Sequence, residues 1–397
     1  MAFSVSAVPS KKQRVSQRDA AATLPNGDLT DGSSAYQYPA LVLERPYANR
    51  NTVPVLVRGG PISRVGKAIT MNKRSALIIG VSGQDGGYLA NFLLEKGYEV
   101  YGSSRDHEVA TFSNLAELGI KDRIHLMSMT LADFRSVVTT LQTAHPDEIY
   151  NLAGQSSVGL SFRYPVETFE SISVGTINIL ECLRLFRHPA KLYNACSSEV
   201  FGNTSEPASE TTPFRPRSPY ATAKAAAHYA VANYREAYDL FACSGLLFNH
   251  ESPLRPARFV TRKIVAGAVQ IANGSDRRLQ LGNLDVQRDW GWAPEYVENM
   301  WLMLQQEQPD DYVIATGSTY SLRDFVKQAF EAAGLNWEDH VDVDASLLRP
   351  TDVEYSVGNP VKAEKQLHWK AQTKGTELIR KLVEAEFDRS VSLAGAP

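Results

Sequence analysis

A tyrosine and a lysine four residues apart could carry out acid–base chemistry on a substrate hydroxyl. Tyr220 and Lys224 are spaced Y-x-x-x-K, which on a helix places the phenol and the ammonium one turn apart on the same face. A neighbouring cation lowers the pKa of a phenol, so the tyrosinate could remove a hydroxyl proton while hydride leaves the same carbon. The same spacing also occurs on solvated helix faces, so its meaning depends on a dinucleotide-binding turn upstream.

A second candidate proton carrier lies at the end of a predicted strand. The run KLYNACSS reads as a strand that ends in Ser197 and Ser198, and Glu199 follows directly. Side chains at the carboxyl ends of parallel strands face the cofactor crevice of an open α/β sheet. We therefore predict that Glu199 transfers a proton; the alternative is an exposed capping glutamate, because glutamates are usually solvated. Cys196 is assigned to the core.

A glycine-rich turn further upstream could hold a dinucleotide. Gly80, Gly83 and Gly86 form G-x-x-G-x-x-G between ALIIGV, a predicted strand, and YLANFLLEKG, a predicted helix. Glycines in such a turn let the backbone approach a pyrophosphate at the helix N-terminus. Turns of this composition also occur without a nucleotide, so the motif gains its meaning from the strand and the helix on either side.

The end of the second predicted strand bears on which dinucleotide binds. NAD-preferring folds usually place Asp or Glu about 20 residues beyond the glycine turn, where it accepts from the ribose 2′-OH. Here that position falls near Ser104, which Arg105 follows. A hydroxyl beside a guanidinium suits a 2′-phosphate, because arginine contacts match phosphate geometry. We therefore predict NADP as the cofactor, while Asp106 leaves NAD possible.

The elements that must position these residues predict an α/β fold. From Ser75 onward, strands alternate with helices over ~170 residues, which implies a doubly wound parallel sheet of the Rossmann type. After Asn249 the alternation weakens, and we interpret the rest as a smaller mixed α/β substrate domain. We predict an N-terminal extension over 1–74, a dinucleotide-binding domain over 75–249 and mainly a substrate domain over 250–397, with some segments returning to the first domain. The first ~35 residues are predicted to be disordered, because they lack apolar periodicity.

Composition excludes several classes of protein. Of the 397 residues, 43% are hydrophobic and 21% are charged, which is the composition of an ordinary globular protein. A net charge of -3 offers no excess of positive charge for nucleic acid. Cys182, Cys196 and Cys243 form no C-x-x-C pair, so we predict no metal site and a reducing, cytoplasmic location. No apolar run reaches the ~18 residues of a membrane helix, so we expect no membrane association.

Longer strings in the sequence resemble a known enzyme family. NLAGQSSVGLSF, SSEVFG, PRSPYATAK, FVTRKI and LGNLDVQRDWG are similar to segments of the GDP-mannose 4,6-dehydratases, which are extended short-chain dehydrogenase/reductase proteins. The resemblance runs from about Ala76 to about Trp369. It implies that the protein converts a GDP-hexose to its 4-keto-6-deoxy derivative, with NADP recycled internally, and that it forms a homodimer or homotetramer.

The resemblance also implies roles for single residues. Tyr220 would deprotonate O4 of the sugar, and Glu199 would take the C5 proton as water leaves C6. Lys224 would orient the cofactor ribose and hold the pKa of Tyr220 low. Ser197 stands where the family usually has threonine, and it keeps the hydroxyl that hydrogen-bonds O4. In the family's basic stretch after the second strand, this chain has only one arginine, Arg105.

For the nucleotide end of the substrate, the positions that match the family carry donors and one acceptor. Asn249, Lys263 and Arg288 have donors that suit a diphosphate, and Arg349 with Asp352 in RPTDV could bind guanine. The predicted site residues are Ser197, Glu199, Tyr220 and Lys224 for catalysis; Gly80, Gly83, Gln84, Asp85, Gly86, Ser104, Arg105, Leu152, Ala153, Tyr220 and Lys224 for the cofactor; and Gln155, Ser156, Asn249, Lys263, Arg288, Arg349 and Asp352 for the substrate.

Other interpretations stay open at this point. Arg288 beside Asp289 could be a plain surface ion pair. The protein could be a nucleotide-sugar epimerase or a 4-keto reductase on the same fold, but a family epimerase-reductase would have cysteine in place of Glu199, and a simple reductase needs no acid there. It could also be a non-catalytic dinucleotide-sensing protein, although such proteins typically lose the Tyr–Lys pair.

Overall fold

The structure is a computed structural model that describes residues 73–394. The predictions for the N-terminal extension lie outside the described residues, apart from positions 73 and 74. The strands are β1 (Ser75–Ile79), β2 (Glu99–Ser104), β3 (His125–Ser128), β4 (Glu148–Asn151), β5 (Lys191–Ala195), β6 (Ala242–Leu247), β7 (Asn249–Glu251), β8 (Leu279–Leu281), β9 (Gln287–Arg288), β10 (Trp290–Trp292), β11 (Tyr312–Ile314), β12 (Tyr320–Ser321) and β13 (Val341–Val343).

Helices cover both faces of the sheet, and further helices lie among the strands in the second half of the chain. One π-helical turn, Glu170–Val174, joins two of them, α5 and α6. The helices are α1 (Gln84–Glu95), α2 (Ser113–Glu117), α3 (Phe134–Ala144), α4 (Val158–Ser161), α5 (Pro165–Phe169), α6 (Gly175–Phe186), α7 (Pro219–Tyr238), α8 (Val260–Ala272), α9 (Ala293–Leu304), α10 (Leu322–Ala332), α11 (Val361–Gln366) and α12 (Gly375–Ala394).

Seven strands form one sheet in the order β11-β6-β5-β4-β1-β2-β3. Every neighbouring pair is parallel. The order reverses between β1 and β4, which is the switch point where open α/β sheets bind ligands beyond the carboxyl ends of their strands. The doubly wound Rossmann-type sheet predicted from the sequence is therefore confirmed.

Both faces of the sheet are buried, which explains why its strands read as continuous apolar runs. Ala76 and Ile78 of β1 pack in the core shared with α1 and α9. The alternate residues, Leu77 and Ile79, pack on the opposite face with α3 and α6. Side chains alternate between faces with period two, so β1 contributes to both cores at once.

A separate apolar cluster lies in the second half of the chain. It is built from α8, α10 and α12 and includes Val265, Phe325 and Leu382. β11 also lies in this half, yet it pairs with β6 at the edge of the large sheet. The boundary proposed at residue 249 stays a prediction. Within residues 73–394, no helix combines the length and apolarity needed to span a bilayer.

Candidate active site

A cavity of about 660 Å³ opens at the carboxyl edge of the sheet and brings together most of the predicted site residues. The predicted residues in its lining are Asp85, Leu152, Ala153, Gln155, Ser156, Ser197, Glu199, Tyr220, Lys224, Asn249, Lys263, Arg288, Arg349 and Asp352. The remaining predicted cofactor residues lie away from this lining, in the β1–α1 turn, in the first turn of α1 and at the end of β2: Gly80, Gly83, Gln84, Gly86, Ser104 and Arg105.

The start of α7 places the tyrosine and the lysine in this cavity. Ser218 caps the helix by accepting a hydrogen bond from the backbone N–H of Ala221 at 3.0 Å, and a proline occupies the first turn. Tyr220 and Lys224 follow on one face, and each is only 8% exposed. The Lys224 Nζ donates to the carbonyl of Ala195, the last residue of β5, at 2.6 Å.

Burial dominates the acid–base behaviour of this pair. It raises the pKa of Tyr220 above its ordinary value, while a hydrogen bond with Ser197 and the charge of Arg255 act in the opposite direction. Burial also lowers the pKa of Lys224. The Tyr–Lys spacing predicts that the lysine charge lowers the pKa of the phenol. In the structure the ammonium points to a backbone carbonyl, 5.9 Å from the centre of the Tyr220 ring, and Ser197 has the larger lowering effect.

Glu199 lies in a short 3₁₀ turn, Ser198–Phe201, directly after β5. Ser197 caps that turn by accepting from the Glu199 N–H at 3.3 Å, so Glu199 is not the capping residue. Its side chain is half-buried and lines the cavity, and the interpretation as an exposed capping glutamate is wrong. Burial raises the pKa of Glu199, whereas Arg288 and Arg349 oppose the rise. Among residues 73–394, no side chain donates a hydrogen bond to its carboxylate.

Arg288 is the buried member of a partly exposed cluster around Asp352. It is 6% exposed, and its Nη2 donates to Asp352 Oδ1 at 3.0 Å. Arg349 Nη1 donates to the same oxygen, also at 3.0 Å. Asp289 faces elsewhere, because its carboxylate accepts from the N–H and the hydroxyl of Thr316. The alternative of a surface ion pair between Arg288 and Asp289 is therefore wrong.

The cavity lining also includes residues that the sequence reasoning did not assign. Among them are His250 and three arginines, Arg217, Arg255 and Arg258. Arg258 donates to Ser156 Oγ at 3.5 Å and forms no ion pair with a carboxylate of the described residues. Three of the four lie in one stretch, 250–258, shortly after β6. That basic stretch was the available signal, but spacing alone did not show which of its side chains face the cavity.

The β1–α1 turn has the close packing that a dinucleotide-binding turn requires. A Cβ on Gly86 would lie 2.5 Å from the carbonyl oxygen of Gly80, and Gly80 itself has a φ of +90°. Within residues 73–394, no side chain caps the N-terminus of α1 at Gly83, so its first backbone N–H groups can face an anion. At the end of β2, the buried Oγ of Ser104 has no hydrogen-bond partner within the described chain. These residues fit a dinucleotide.

Comparison with known proteins adds independent information. Residues 77–382 match the family model for GDP-mannose 4,6 dehydratase. GDP-mannose 4,6 dehydratase 1 of Arabidopsis thaliana is 44% identical over 330 residues, covering 81% of this chain and 91% of that protein. The human GDP-mannose 4,6 dehydratase is 42% identical over 357 residues, covering 83% and 95%.

Solved structures share the fold. The UDP-glucose 4-epimerase of Thermus thermophilus, a complex with NAD, superposes with a TM-score of 0.70 at 26% identity and covers 79% of this chain and 98% of its own. A dTDP-glucose 4,6-dehydratase of Streptomyces venezuelae with NAD bound gives a TM-score of 0.71 at 20% identity, covering 80% and 98%. At 20% identity, the second match shows the fold alone.

Proposed function

The chain belongs to the GDP-mannose 4,6-dehydratase family, and we propose that it removes water from a GDP-hexose at the cavity described above, leaving a 4-keto-6-deoxy sugar. The observation that carries the proposal is that Glu199 shares this cavity with Tyr220 and Lys224. The Tyr–Lys pair suffices for oxidation or reduction at one carbon. Dehydration needs a second base for the neighbouring carbon. A half-buried carboxylate that accepts no hydrogen bond from a side chain of residues 73–394 is suited to accept that proton.

The tyrosine acts first. Its phenolic oxygen removes the O4 proton, and the hydrogen bond with Ser197 and the charge of Arg255 favour the phenolate that this requires. A bound nicotinamide would accept the hydride from C4 and would later donate it to C6. The Ala195 carbonyl holds the Lys224 ammonium in the cavity wall, where it can hydrogen-bond the cofactor ribose.

Glu199 acts on the carbon next to the new carbonyl. The 4-keto group acidifies C5. Glu199 accepts the C5 proton and passes it to the C6 hydroxyl, which leaves as water. The charges of Arg288 and Arg349 help to keep the carboxylate ionised in its half-buried position. After taking up a proton from solvent, the same carboxyl group can deliver it to C5 when C6 is reduced. An epimerase or a simple reductase has no need of a base at this position.

We propose that the cations of the cavity bind the diphosphate. Lys263 and Arg258 both line the cavity, and neither forms an ion pair with a carboxylate of residues 73–394. Arg288 and Arg349 share one oxygen of Asp352, so this cluster keeps a net positive charge. The other oxygen of Asp352 is left to accept a hydrogen bond from the nucleoside.

For the cofactor, we propose a nicotinamide dinucleotide and, more specifically, NADP. At the end of β2, the buried hydroxyl of Ser104 has no partner among residues 73–394. Arg105 follows it with an exposed guanidinium that lies 3.7 Å from the Glu167 carboxylate. Asp106, the residue that left NAD possible, uses Oδ1 to accept from the backbone N–H groups of Glu108 and Val109. Its carboxylate is therefore engaged in a local turn, which weakens the argument for recognition of a free 2′-OH.

The dissociation constants of NADPH and NADH test this preference directly. We expect NADPH to bind more tightly to the native protein, and Arg105→Asp to reverse the order, because a carboxylate repels the 2′-phosphate. Arg277→Asp changes charge equally at another exposed position and should leave the preference intact. Equal dissociation constants for the two cofactors in the native protein would contradict the proposal.

The reaction itself is tested with a panel of nucleotide-hexoses. We expect a GDP-hexose to give a 4-keto product without net reduction of NADP, and the product formed in heavy water to carry solvent deuterium at C5. Analysis by mass spectrometry and NMR separates the possible outcomes. An epimerised or simply reduced sugar, or a product without solvent deuterium, would contradict the assignment of a dehydratase.

We further propose that the protein is a homo-oligomer whose copies meet through α5, α6 and α7. This surface exposes Val166, Leu185 and Tyr229, although large apolar side chains are usually buried. Sedimentation velocity should show a dimer or tetramer, and Leu185→Arg should reduce its size. Val343→Arg, at an exposed valine of β13, serves as the control. A monomeric native protein would refute the proposal.

A further inference from the structure

A buried histidine joins the first turn of α1 to β7. His250 Nε2 lies 2.9 Å from Asp85 Oδ2, and its Nδ1 lies 2.7 Å from the carbonyl oxygen of Phe248. Beside a carboxylate and a carbonyl, both of which accept, each ring nitrogen must carry a proton if both hydrogen bonds form. The geometry therefore describes an imidazolium paired with a carboxylate.

Further contacts hold the same two elements together. Gln84 Nε2 donates to the carbonyl of His250 at 3.2 Å, and its Oε1 accepts from the Ser252 hydroxyl at 2.8 Å. The ring of Tyr296, from α9, stacks on His250 with 4.6 Å between ring centres. These contacts fix the orientation of the imidazole ring and therefore the position of its positive charge.

The charged and titratable groups that face His250 are Asp85 from α1, Arg255 from the segment after β7 and Tyr296 from α9. Burial and Arg255 lower the pKa of His250, but Asp85 outweighs them, and the pKa lies above the ordinary 6.5. For Asp85, burial acts to raise the pKa, yet the interaction with His250 holds it at about 2. Both shifts agree with the charged pair that the hydrogen bonds describe.

The His250–Asp85 pair lies where it can affect cofactor binding. Asp85 is the second residue of α1, whose N-terminus follows the glycine turn and has no side-chain cap from the described residues. An unpaired carboxylate there would repel the diphosphate of a dinucleotide. β7 also begins with Asn249, which lines the cavity, so the pair connects the turn to a strand that faces the substrate.

We propose that His250 is a positioning residue for the cofactor: its imidazolium neutralises Asp85 and holds the first turn of α1 where the dinucleotide's diphosphate binds. This inference rests on the proposed dinucleotide site. It assigns the charge of Asp85 a partner 165 residues away, and it predicts that cofactor affinity depends on the charge balance of the pair rather than on the presence of either side chain alone.

The test is a set of four proteins titrated with NADPH: native, His250→Gln, Asp85→Asn and the double variant. His250→Gln leaves a buried carboxylate without its cation, so we expect the dissociation constant to rise at least about tenfold. The double variant removes both charges and keeps a hydrogen-bonding pair, so it should bind NADPH more tightly than His250→Gln does. His188→Gln is the control, because His188 is equally buried, at 7% exposed, and lies outside the cavity lining.

The pH dependence gives a second readout. As the pH rises through the raised pKa of His250, the imidazolium loses its proton and Asp85 loses its partner, so the native protein should bind NADPH more weakly. The double variant should lack this dependence. ¹⁵N NMR of the native protein should show both ring nitrogens of His250 protonated at neutral pH, a measurement that does not depend on whether any variant folds.

Three results would overturn the inference: a neutral imidazole at His250, a double variant that binds as weakly as His250→Gln, or unchanged affinity in His250→Gln. Thermal unfolding of each variant separates a loss of affinity from a loss of folding. A native protein that binds neither NADPH nor NADH would instead refute the proposed cofactor site itself. Failure of the proposed role of His250 can therefore be told apart from failure of the proposed cofactor site.

Discussion

Replacing Glu199 with glutamine should remove the dehydration step while stabilising the folded protein. Glutamine keeps the shape of the side chain but cannot accept a proton from C5. A positioned acid or base contributes roughly 10²–10⁴-fold to a rate, so turnover should fall by that factor. This corresponds to about 3–5 kcal/mol of transition-state stabilisation.

The expected gain in stability follows from the surroundings of the carboxylate. Among residues 73–394, no side chain donates a hydrogen bond to Glu199, so the substitution breaks none. Burial raises the folded-state pKa of Glu199 above 4.5, despite Arg288 and Arg349. A raised carboxyl pKa means that stability is lost as the pH rises from the unfolded-state pKa through the folded-state pKa. At neutral pH the ionised glutamate therefore destabilises the fold, and the amide does not.

The assay combines turnover with thermal unfolding. We expect Glu199→Gln to be nearly inactive on the GDP-hexose and to have a higher Tm than the native protein at neutral pH, with the difference disappearing in acid. Glu206→Gln makes the same chemical change at an exposed position and should alter neither quantity. Native turnover would refute the assignment of the base. A lower Tm together with lost activity would show that Glu199 has a structural role instead.

Three further predictions concern neighbouring parts of the site. Tyr220→Phe should abolish turnover and, unlike Glu199→Gln, should accumulate no reduced cofactor when substrate is added; a rise in nicotinamide absorbance would contradict this. Arg288→Met removes a charge that lowers the pKa of Glu199, so the acid limb of the kcat/KM profile should move to higher pH, and an unmoved limb would refute the coupling. Gly86→Ala places a Cβ 2.5 Å from a backbone oxygen of the glycine turn and should cost roughly 1–3 kcal/mol of stability and weaken NADPH binding. In Gly87→Ala the added Cβ would lie 3.4 Å from its nearest neighbour, a flexible side chain. This variant should lose less stability than Gly86→Ala, as measured by urea denaturation.

The sequence predicted those parts of the fold that depend on neighbours along the chain. The strands predicted to alternate with helices from Ser75 onward are present as β1–β6, because buried parallel strands are short apolar runs. Tyr220 and Lys224 share a helix, as their spacing indicates. β11 has only three residues, too few for a periodic signal, and it was not predicted as a strand. It takes its place in the sheet by pairing with β6, across a sequence separation that local patterns do not record.

In the candidate site too, local sequence patterns predicted some features and long-range contacts determined others. Residue types and spacing by themselves made the glycine turn, the Tyr–Lys pair and Glu199 candidates for the site, because each belongs to one strand–loop or helical segment. Only the tertiary structure decided that Arg288 pairs with Asp352, 64 residues away, rather than with its neighbour Asp289. It also decided that Asp85 meets His250. Burial and long-range contact set the charge state of such groups, and both depend on which distant segments the fold brings together.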